Sequence, residues 1–263
     1  MAKTFQSDAQ ITVNEQIQGD YYRMLLHAPD IAAAASPGQF IHVQIPEMEH
    51  RVLRRPFSIS DADPEGGLLT IIYKVVGIGT AQLKKMLPGT RINILGPRGN
   101  GFSALPDGQR SILVGGGYGC AAVYLLARKA SMPPLVLLGG RSHQDIIMVD
   151  EFKALGCEVR LSTDDGSAGE KGRVTLLLEK ALTEFPPGRI AACGPVPMLK
   201  AVAALCDGQN LDCEVSMDSV MCCGMGACFG CVIKRKADNP QGWSYVRACH
   251  EGPVFKSTEV FWE

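Results

Sequence analysis

Cys223, Cys228 and Cys231 stand in the spacing C-x4-C-x2-C, and Cys249 follows after seventeen intervening residues. Four thiolates at these intervals suit a [2Fe-2S] centre, because two iron atoms take soft anionic sulfur from a loop that curls around them. Gly224, Gly226 and Gly230 are interspersed. They reach positive φ cheaply and let backbone N–H groups approach sulfur. Zinc is the competing metal, but paired zinc knuckles space their cysteines differently. Buried free thiols explain poorly why five of the ten cysteines fall within residues 222–249. A register through the adjacent Cys222 would read C-x5-C, so Cys222 is expected to be a packed free thiol. Cys120, Cys157, Cys206 and Cys213 are scattered and read as core.

Three further stretches carry chemistry. In Arg55-Pro-Phe-Ser58 an Arg offers a planar donor fork and Ser a small hydroxyl, which suits a phosphate or a flavin edge; alone, the stretch equally describes a surface Arg at a strand start. In Gly77-Ile-Gly-Thr80 a glycine turn precedes a helix start, with Thr80 as an anion contact or an N-cap. The third is Gly115-Gly-Gly-Tyr-Gly119 between a short strand and a helix. Gly117-x-Gly119-x-x-Ala122 fits the dinucleotide pattern, in which glycines let the backbone approach a pyrophosphate. The acidic residue expected about twenty positions later is replaced by Gly139-Gly-Arg-Ser142, so an ordinary Rossmann dehydrogenase does not fit. Arg141 is either a contact for a 2′-phosphate or a solvated loop residue, which leaves NADP open. Asp164 and Asp165 read as turn residues near a cofactor ribose. His250, beside Cys249, reads as a surface residue rather than a tuner of the cluster.

These stretches sit on a simple succession of elements. Residues 10 to about 100 alternate short strands with Pro-Gly turns, including Ile11–Val13, Tyr22–Leu26, Phe40–Ile45, Leu68–Val76 and Arg91–Leu95, as in a small antiparallel barrel. Leu105-Pro-Asp-Gly108 reads as a boundary. Strands at Ser111–Val114, Leu135–Leu138, Glu158–Leu161 and Arg189–Ala192 then alternate with helices, which implies a mostly parallel sheet. Val232–Arg235 and Trp243–Val246 read as a hairpin that returns Cys249 to the cysteine loop. The 263 residues suffice for two domains and a small third. A net charge of −1 gives no footprint for nucleic acid, no apolar run reaches membrane-spanning length, and ten cysteines without a secretory signal suit a reducing, cytoplasmic setting.

Pro37-Gly-Gln-Phe40, Arg55-Pro-Phe-Ser58, Tyr73-Lys74 and Gly79-Thr80, in this order on a barrel, resemble the flavin-binding half of the ferredoxin–NADP reductase superfamily. The resemblance implies FAD held by Arg55, Pro56, Phe57, Ser58, Ile72, Tyr73, Lys74, Gly79 and Thr80. Gly96–Phe102 closes the barrel in the same order. It also implies a nicotinamide side at Cys193, Gly194 and Pro195, with Cys193 near the hydride path, beside the dinucleotide glycines Gly115, Gly116, Gly117 and Gly119. The terminal Cys-Gly-Met-Gly-Ala-Cys-Phe-Gly-Cys and Arg247-Ala-Cys-His-Glu-Gly-Pro-Val-Phe255 closely resemble the electron-transfer subunits of class 1B NAD-dependent dihydroorotate dehydrogenases, over essentially the whole chain. That resemblance implies an FAD-binding barrel over 1–104, an NAD-binding α/β domain over 105–215 and a [2Fe-2S] domain over 216–263 with ligands Cys223, Cys228, Cys231 and Cys249. It implies electron relay between NAD(H) and an FMN-containing catalytic subunit that oxidises dihydroorotate to orotate, in a heterotetramer of two of each chain. Subunits of sulfide dehydrogenase, transhydrogenase or hydrogenase type share such modules and are the alternative; a redox-sensing regulator without turnover is the non-enzymatic one.

Overall fold

The computed structural model describes residues 3–48 and 53–263. The first part of the chain closes into a barrel of β1 (Phe5–Gln18), β2 (Tyr21–His27), β3 (Phe40–Val43), β4 (Arg55–Asp63), β5 (Leu68–Lys74) and β6 (Arg91–Arg98), in the spatial order β1-β2-β5-β4-β3-β6. Closure removes the sheet edges that an open antiparallel sheet would expose. Alternate residues point inward, and Ile11, Met24, Leu26, Ile41, Ile59 and Ile71 fill the interior. β1 is much longer than its apolar core Ile11–Val13 announces. Ladder bonds to β2 and β6 carry its polar ends, and Asn14 turns a half-buried amide to the Leu83 and Met86 carbonyls at 3.0 and 2.8 Å. Short helices α1 (Pro29–Ala34) and α2 (Ile78–Leu83) plug the barrel ends.

The next part alternates β7 (Ile112–Gly116), α3 (Cys120–Arg128), β8 (Leu135–Gly140), α4 (Val149–Ala154), β9 (Glu158–Thr163), β10 (Glu170–Lys171), α5 (Val174–Glu184), β11 (Ile190–Cys193), α6 (Val196–Asp207) and β12 (Cys213–Ser216). The strands pair in parallel in the order β10-β9-β8-β7-β11-β12. β7 and β11 are buried along their whole length, because helices cover both faces. Val123 and Phe152 of α3 and α4 pack on one face, and Leu177 and Leu199 of α5 and α6 on the other. The chain runs outward from β7 to β10 and then crosses to β11 on the opposite side of β7. That reversal opens a crevice at the carboxyl ends of β7 and β11, where ligands of such sheets bind.

A loop holding the first cysteines leads from β12 into the hairpin β13 (Val232–Lys236) and β14 (Trp243–Arg247). The chain then returns to the sheet. β15 (Val254–Lys256) pairs antiparallel with β12, so the segment after Ser216 both leaves and rejoins the same edge. Asn100 ties this return to the barrel: its N–H donates to the Gly252 carbonyl at 2.6 Å and its amide to the Glu251 carbonyl at 2.9 Å.

Candidate functional site

The cysteine loop lies between barrel strand β3 and the β13–β14 hairpin. Gly224 (φ 64°) and Gly226 (φ 84°) turn it through the left-handed region. The third left-handed residue is Phe229 (φ 53°) rather than Gly230. Gly230 is needed for space instead, since a Cβ there would stand 3.3 Å from the Cys222 Cβ and 3.4 Å from the Cys228 Sγ. Two arginines hold the turn: Arg98 Nε donates to the Gly224 carbonyl at 3.0 Å and Arg247 Nη1 to the Gly226 carbonyl at 2.7 Å. Arg247 also lies 4.9 Å from the centre of the Phe229 ring and pairs with Glu251. Its guanidinium holds the Glu251 carboxyl down at about 2. His250 packs its ring against Gly226 and pairs with Glu251 at 3.0 Å.

Backbone N–H groups point at three of the four expected ligand sulfurs. Met225 donates to Cys223 Sγ at 3.3 Å, Gly230 to Cys228 Sγ at 3.4 Å and Cys249 to Cys231 Sγ at 3.4 Å. Burial works against the Cys223 thiolate, but the Met225, Cys228 and Ala227 amides bring its pKa down to about 6. Partial burial, with the Cys228 and Cys223 thiols, pushes the half-buried Cys222 up instead. Burial and the Cys231 thiol push Cys249 up to about 12. Cys228 neighbours both Cys223 and Cys222, and Cys249 neighbours Cys231, with Cys223 also within reach. Among the described residues no three such side chains converge on one point. A loop of thiolates with backbone N–H groups aimed at three of the sulfurs offers what a two-iron centre takes, two thiolates at each metal and donors to sulfur. The donor set fits [2Fe-2S].

On the other side of β3, β4 changes partners along its length. Arg55–Ser58 pairs with β3, and only from Ile59 onward does the strand pair with β5. Pro56, which has no N–H to donate, falls in the half with an open edge. That edge borders a narrow cleft of about 40 Å³ whose walls include Phe40, Pro56, Ser58, Tyr118, Cys193 and Asp218. Arg55 lies over Gly79, where a Cβ would come within 3.4 Å of its Nε. An open strand edge with an Arg over a glycine turn offers the donors that a flavin and its phosphates take. The remaining residues of this set lie elsewhere. The Tyr73 ring packs inside the barrel against Tyr22 and Phe57, and its hydroxyl donates to Asn14 at 2.8 Å, so a contact from Tyr73 runs through its backbone. Ile72 is buried between barrel and sheet. Thr80 is not the N-cap, which is Gly77. It sits one turn in, and its hydroxyl accepts from the Val76 and Gly77 N–H groups at 3.0 and 3.2 Å.

Lys74 points away from this cleft into a larger one of about 750 Å³ at the carboxyl ends of β7, β8 and β11, a volume usual for a cofactor site. Its walls bring together Gly116, Gly117 and Gly119 with Cys193, Gly194 and Pro195, across the crevice between β7 and β11. Gly115, behind them, is packed on Cys120. Gly117 has φ 54° and an open Cβ position, with only the Tyr21 hydroxyl at 3.5 Å. Gly119 has a different role: a Cβ would strike the Cys193 carbonyl oxygen at 2.3 Å. Burial, with Asp218 nearby, pushes the Cys193 thiol up to about 12, so it is a neutral wall and not a nucleophile. Arg141 and Asp164 line the same cleft. At the mouth, Asp145 accepts from Lys74 at 2.9 Å, Tyr21 at 2.7 Å and Arg141 at 3.2 Å. Burial opposes its charge, yet these three donors, Lys74 first, hold its pKa down at about 2.

Two family descriptions match this chain: "Oxidoreductase FAD-binding domain" over residues 8–102 and "Iron-sulfur cluster binding domain of dihydroorotate dehydrogenase B" over residues 218–261. Similarity to whole proteins decides the matter. The electron transfer subunit of dihydroorotate dehydrogenase B (NAD(+)) from Fusobacterium nucleatum subsp. nucleatum is 38% identical over 96% of this chain and 97% of its own. That from Desulforamulus reducens is 36% identical over the full length of both. The chain belongs to the family of dihydroorotate dehydrogenase B electron transfer subunits. A chain of the NADH-dependent reduced ferredoxin–NADP oxidoreductase, a structure described for flavin-based electron bifurcation, is also similar in fold to this family member. Its TM-score is 0.83 and its identity 31%, covering 97% of this chain and 90% of that one.

Several residues of this dihydroorotate dehydrogenase B electron transfer chain that shape the site have no signal in the sequence. Tyr118 and Asp218 wall both clefts and share a hydrogen bond of 3.2 Å. Tyr21, Asp145 and His42 are likewise placed by partners far along the chain. His42 is fully buried on β3 against Gly224, and burial together with Arg54 lowers its pKa to about 4.

Proposed function

We propose that this chain relays electrons between a nicotinamide dinucleotide and a catalytic subunit that converts dihydroorotate to orotate in pyrimidine biosynthesis. NAD(H) takes the large cleft, FAD the open edge of β4, and [2Fe-2S] the cysteines Cys223, Cys228, Cys231 and Cys249. Bound flavin supplies the coupling between two-electron nicotinamide chemistry and one-electron cluster chemistry. The observation that carries this reading is contiguity. Tyr118, Gly119, Cys193 and Asp218 border both the nicotinamide and the flavin cleft. Phe40 borders the flavin cleft and packs against Met221, Cys231 and Cys249 on its other side. Three sites in contact through shared walls support a chain of short transfers.

The protein's own part is positioning. Gly116, Gly117 and Gly119 bring backbone close to the pyrophosphate with Gly115 packed behind them on Cys120, while Cys193-Gly-Pro195 borders the nicotinamide and keeps it dry. Arg55 over Gly79 holds flavin phosphate, and Pro56 and Ser58 present the ring edge, with backbone of Phe57, Ile72, Tyr73, Lys74 and Thr80 nearby; the Phe57 ring itself turns into the barrel against Tyr73. We take the functional division to be 1–104, 105–215 and 216–263. An electron transfer subunit implies a catalytic partner, and an FMN-carrying chain in a two-plus-two assembly fits. Val220, Met225, Phe229 and Tyr245 expose apolar surface around the cysteines and suit that contact. Among the described residues no helix is long and apolar enough to cross a membrane, which agrees with a cytoplasmic complex. Co-expression with the partner, anaerobic purification and an assay with dihydroorotate and NAD+ test the proposal. Stoichiometric orotate and NADH are expected; a yellow-brown complex inactive with dihydroorotate overturns it.

A second reading has one observation behind it. The 31% identity and near-complete overlap with the ferredoxin–NADP oxidoreductase chain favour a transhydrogenase-type subunit. Dihydroorotate-independent transfer between NADH and NADP+ in the complex distinguishes that case.

A further inference from the structure

His42 has no part in the contacts described so far, yet its position is unusual. It lies on β3, directly opposite Pro56 of the flavin strand, and follows Phe40, which is opposite Ser58. Its other neighbour is the cysteine loop. A Cβ added to Gly224 would come within 2.5 Å of His42 Nδ1 and 2.7 Å of its Cε1, so the imidazole fills the space that the left-handed glycine leaves empty. The side chain is 0% exposed. Neither Nδ1 nor Nε2 has a partner at full hydrogen-bond geometry; the acceptor that comes nearest is the backbone of Cys223.

A buried imidazole with both nitrogens unpaired is costly, because each orphaned polar group has given up its water without a replacement. The same place in a purely structural role would suit Leu or Phe, as Phe40 on the same face of β3 shows, its ring 6.2 Å from the imidazole and packed on the cysteine segment. The charged groups that face the ring from the barrel are Arg54, Arg55 and Arg98; they are donors, so an acceptor for a ring N–H lies on the cysteine side. The loop against which the ring is pressed carries Cys223, one residue before Gly224.

We propose that His42 is a positioning residue between the flavin strand and the cluster, donating a ring N–H to a sulfur of the [2Fe-2S] centre beside Cys223. The inference rests on the cluster reading given above. N–H donation to cluster sulfur favours the more negative, reduced form and therefore raises the reduction potential. Backbone amides already serve Cys223, Cys228 and Cys231. His42 is the side-chain donor that reaches the centre from the flavin side, so it biases the electron toward the cluster.

The test is a spectroelectrochemical titration of the purified holoprotein, with iron and sulfide content measured alongside. His42→Leu keeps the volume and removes the donor. Its cluster is expected to be reduced about tenfold less at a fixed poise, equivalent to about 59 mV for one electron, with the flavin potential unmoved. His42→Asn and His42→Gln offer an amide N–H near the Nδ1 and Nε2 positions, and recovery by either supports the proposal. A fully loaded His42→Leu protein with an unchanged cluster potential overturns it. A second measurement stands if that variant does not fold or load. Pulsed EPR of reduced, 15N-histidine-labelled protein in a His250→Gln background should show a weak nitrogen coupling from His42, and its absence overturns the proposal. Wild-type protein without iron and sulfide sinks the cluster reading itself, a different result from either.

Discussion

Replacing Asp145 with Asn should loosen the junction between barrel and nucleotide sheet by an amount the structure sets. Asp145 follows β8, while its donors Tyr21 and Lys74 belong to β2 and β5 of the barrel. The Lys74 and Asp145 side chains are 21% and 11% exposed, so solvent screens the pair little. A carboxyl held from its ordinary 3.8 down to about 2 is stabilised as the anion by about 2 kcal/mol, at ~1.4 kcal/mol per tenfold in the proton equilibrium. Asn mimics the protonated acid in shape and charge. Asp145→Asn should therefore lower stability by about 2 kcal/mol at pH 7, or Tm by about 4–8 °C for a chain of this size. The depressed pKa fixes the sign of the pH dependence. The Asp145 contribution is fully present above about pH 4 and is lost as pH falls through about 2, so wild type and variant should differ equally at pH 5 and pH 8 and converge in acid. Paired urea or thermal unfolding of the two proteins across this range is the assay, and acid effects elsewhere cancel in the difference. A Tm difference below about 1 °C at pH 7, or one that widens below pH 4, refutes the reasoning.

Four other outcomes are expected. Cys223→Ser should abolish cluster incorporation while Cys222→Ser leaves the visible spectrum nearly intact, and the reverse pattern would move the ligand register by one residue. Gly119→Ala drives a methyl into the Cys193 carbonyl, backbone against backbone, and should cost about 1–3 kcal/mol of stability and at least about tenfold in NADH affinity by calorimetry. Arg247→Ala frees the Gly226 carbonyl and leaves Glu251 with His250 and the residue-247 backbone N–H as its partners; cluster loss under chelator, followed by absorbance, should quicken severalfold. Phe229→Asp, at an exposed apolar position beside Cys228, should break co-purification with the catalytic partner while NADH oxidation by a soluble dye continues.

The parts of the site that could be read from sequence are local. Cysteine spacing and the strand–glycine–helix succession at β7 put partners within a few residues of each other. The register of the barrel was harder. A strand pattern assigns two faces but does not say which one meets a ligand; the resemblance names Tyr73 for the flavin, and only the structure shows that its ring faces Asn14 within the barrel and leaves the backbone for such a contact. Lys74 points the opposite way, to Asp145, across seventy-one positions of sequence. Tyr21, Asp145 and His42 have meaning only through pairings of that length, which no window along the chain contains. Gly230 shows a subtler limit. Its type suggested a left-handed turn, but crowding against Cys222 and Cys228 requires the glycine, and Phe229 takes the turn.

β12 and β15 are hydrogen-bonded neighbours, and the whole of residues 217–253 is looped out between them. The final strand can add to the sheet only when that long excursion has closed, which carries a chain-entropy cost that grows with its length. A metal centre joining Cys223 to Cys249 shortens the free part of the excursion before the sheet edge zips up. Metal occupancy and completion of the nucleotide sheet are therefore thermodynamically linked, in the way that ligand binding and folding share free energy in other metalloproteins. Loss of the metal centre is expected to weaken the β12–β15 pairing as well as the loop, and to leave that sheet edge easier to open.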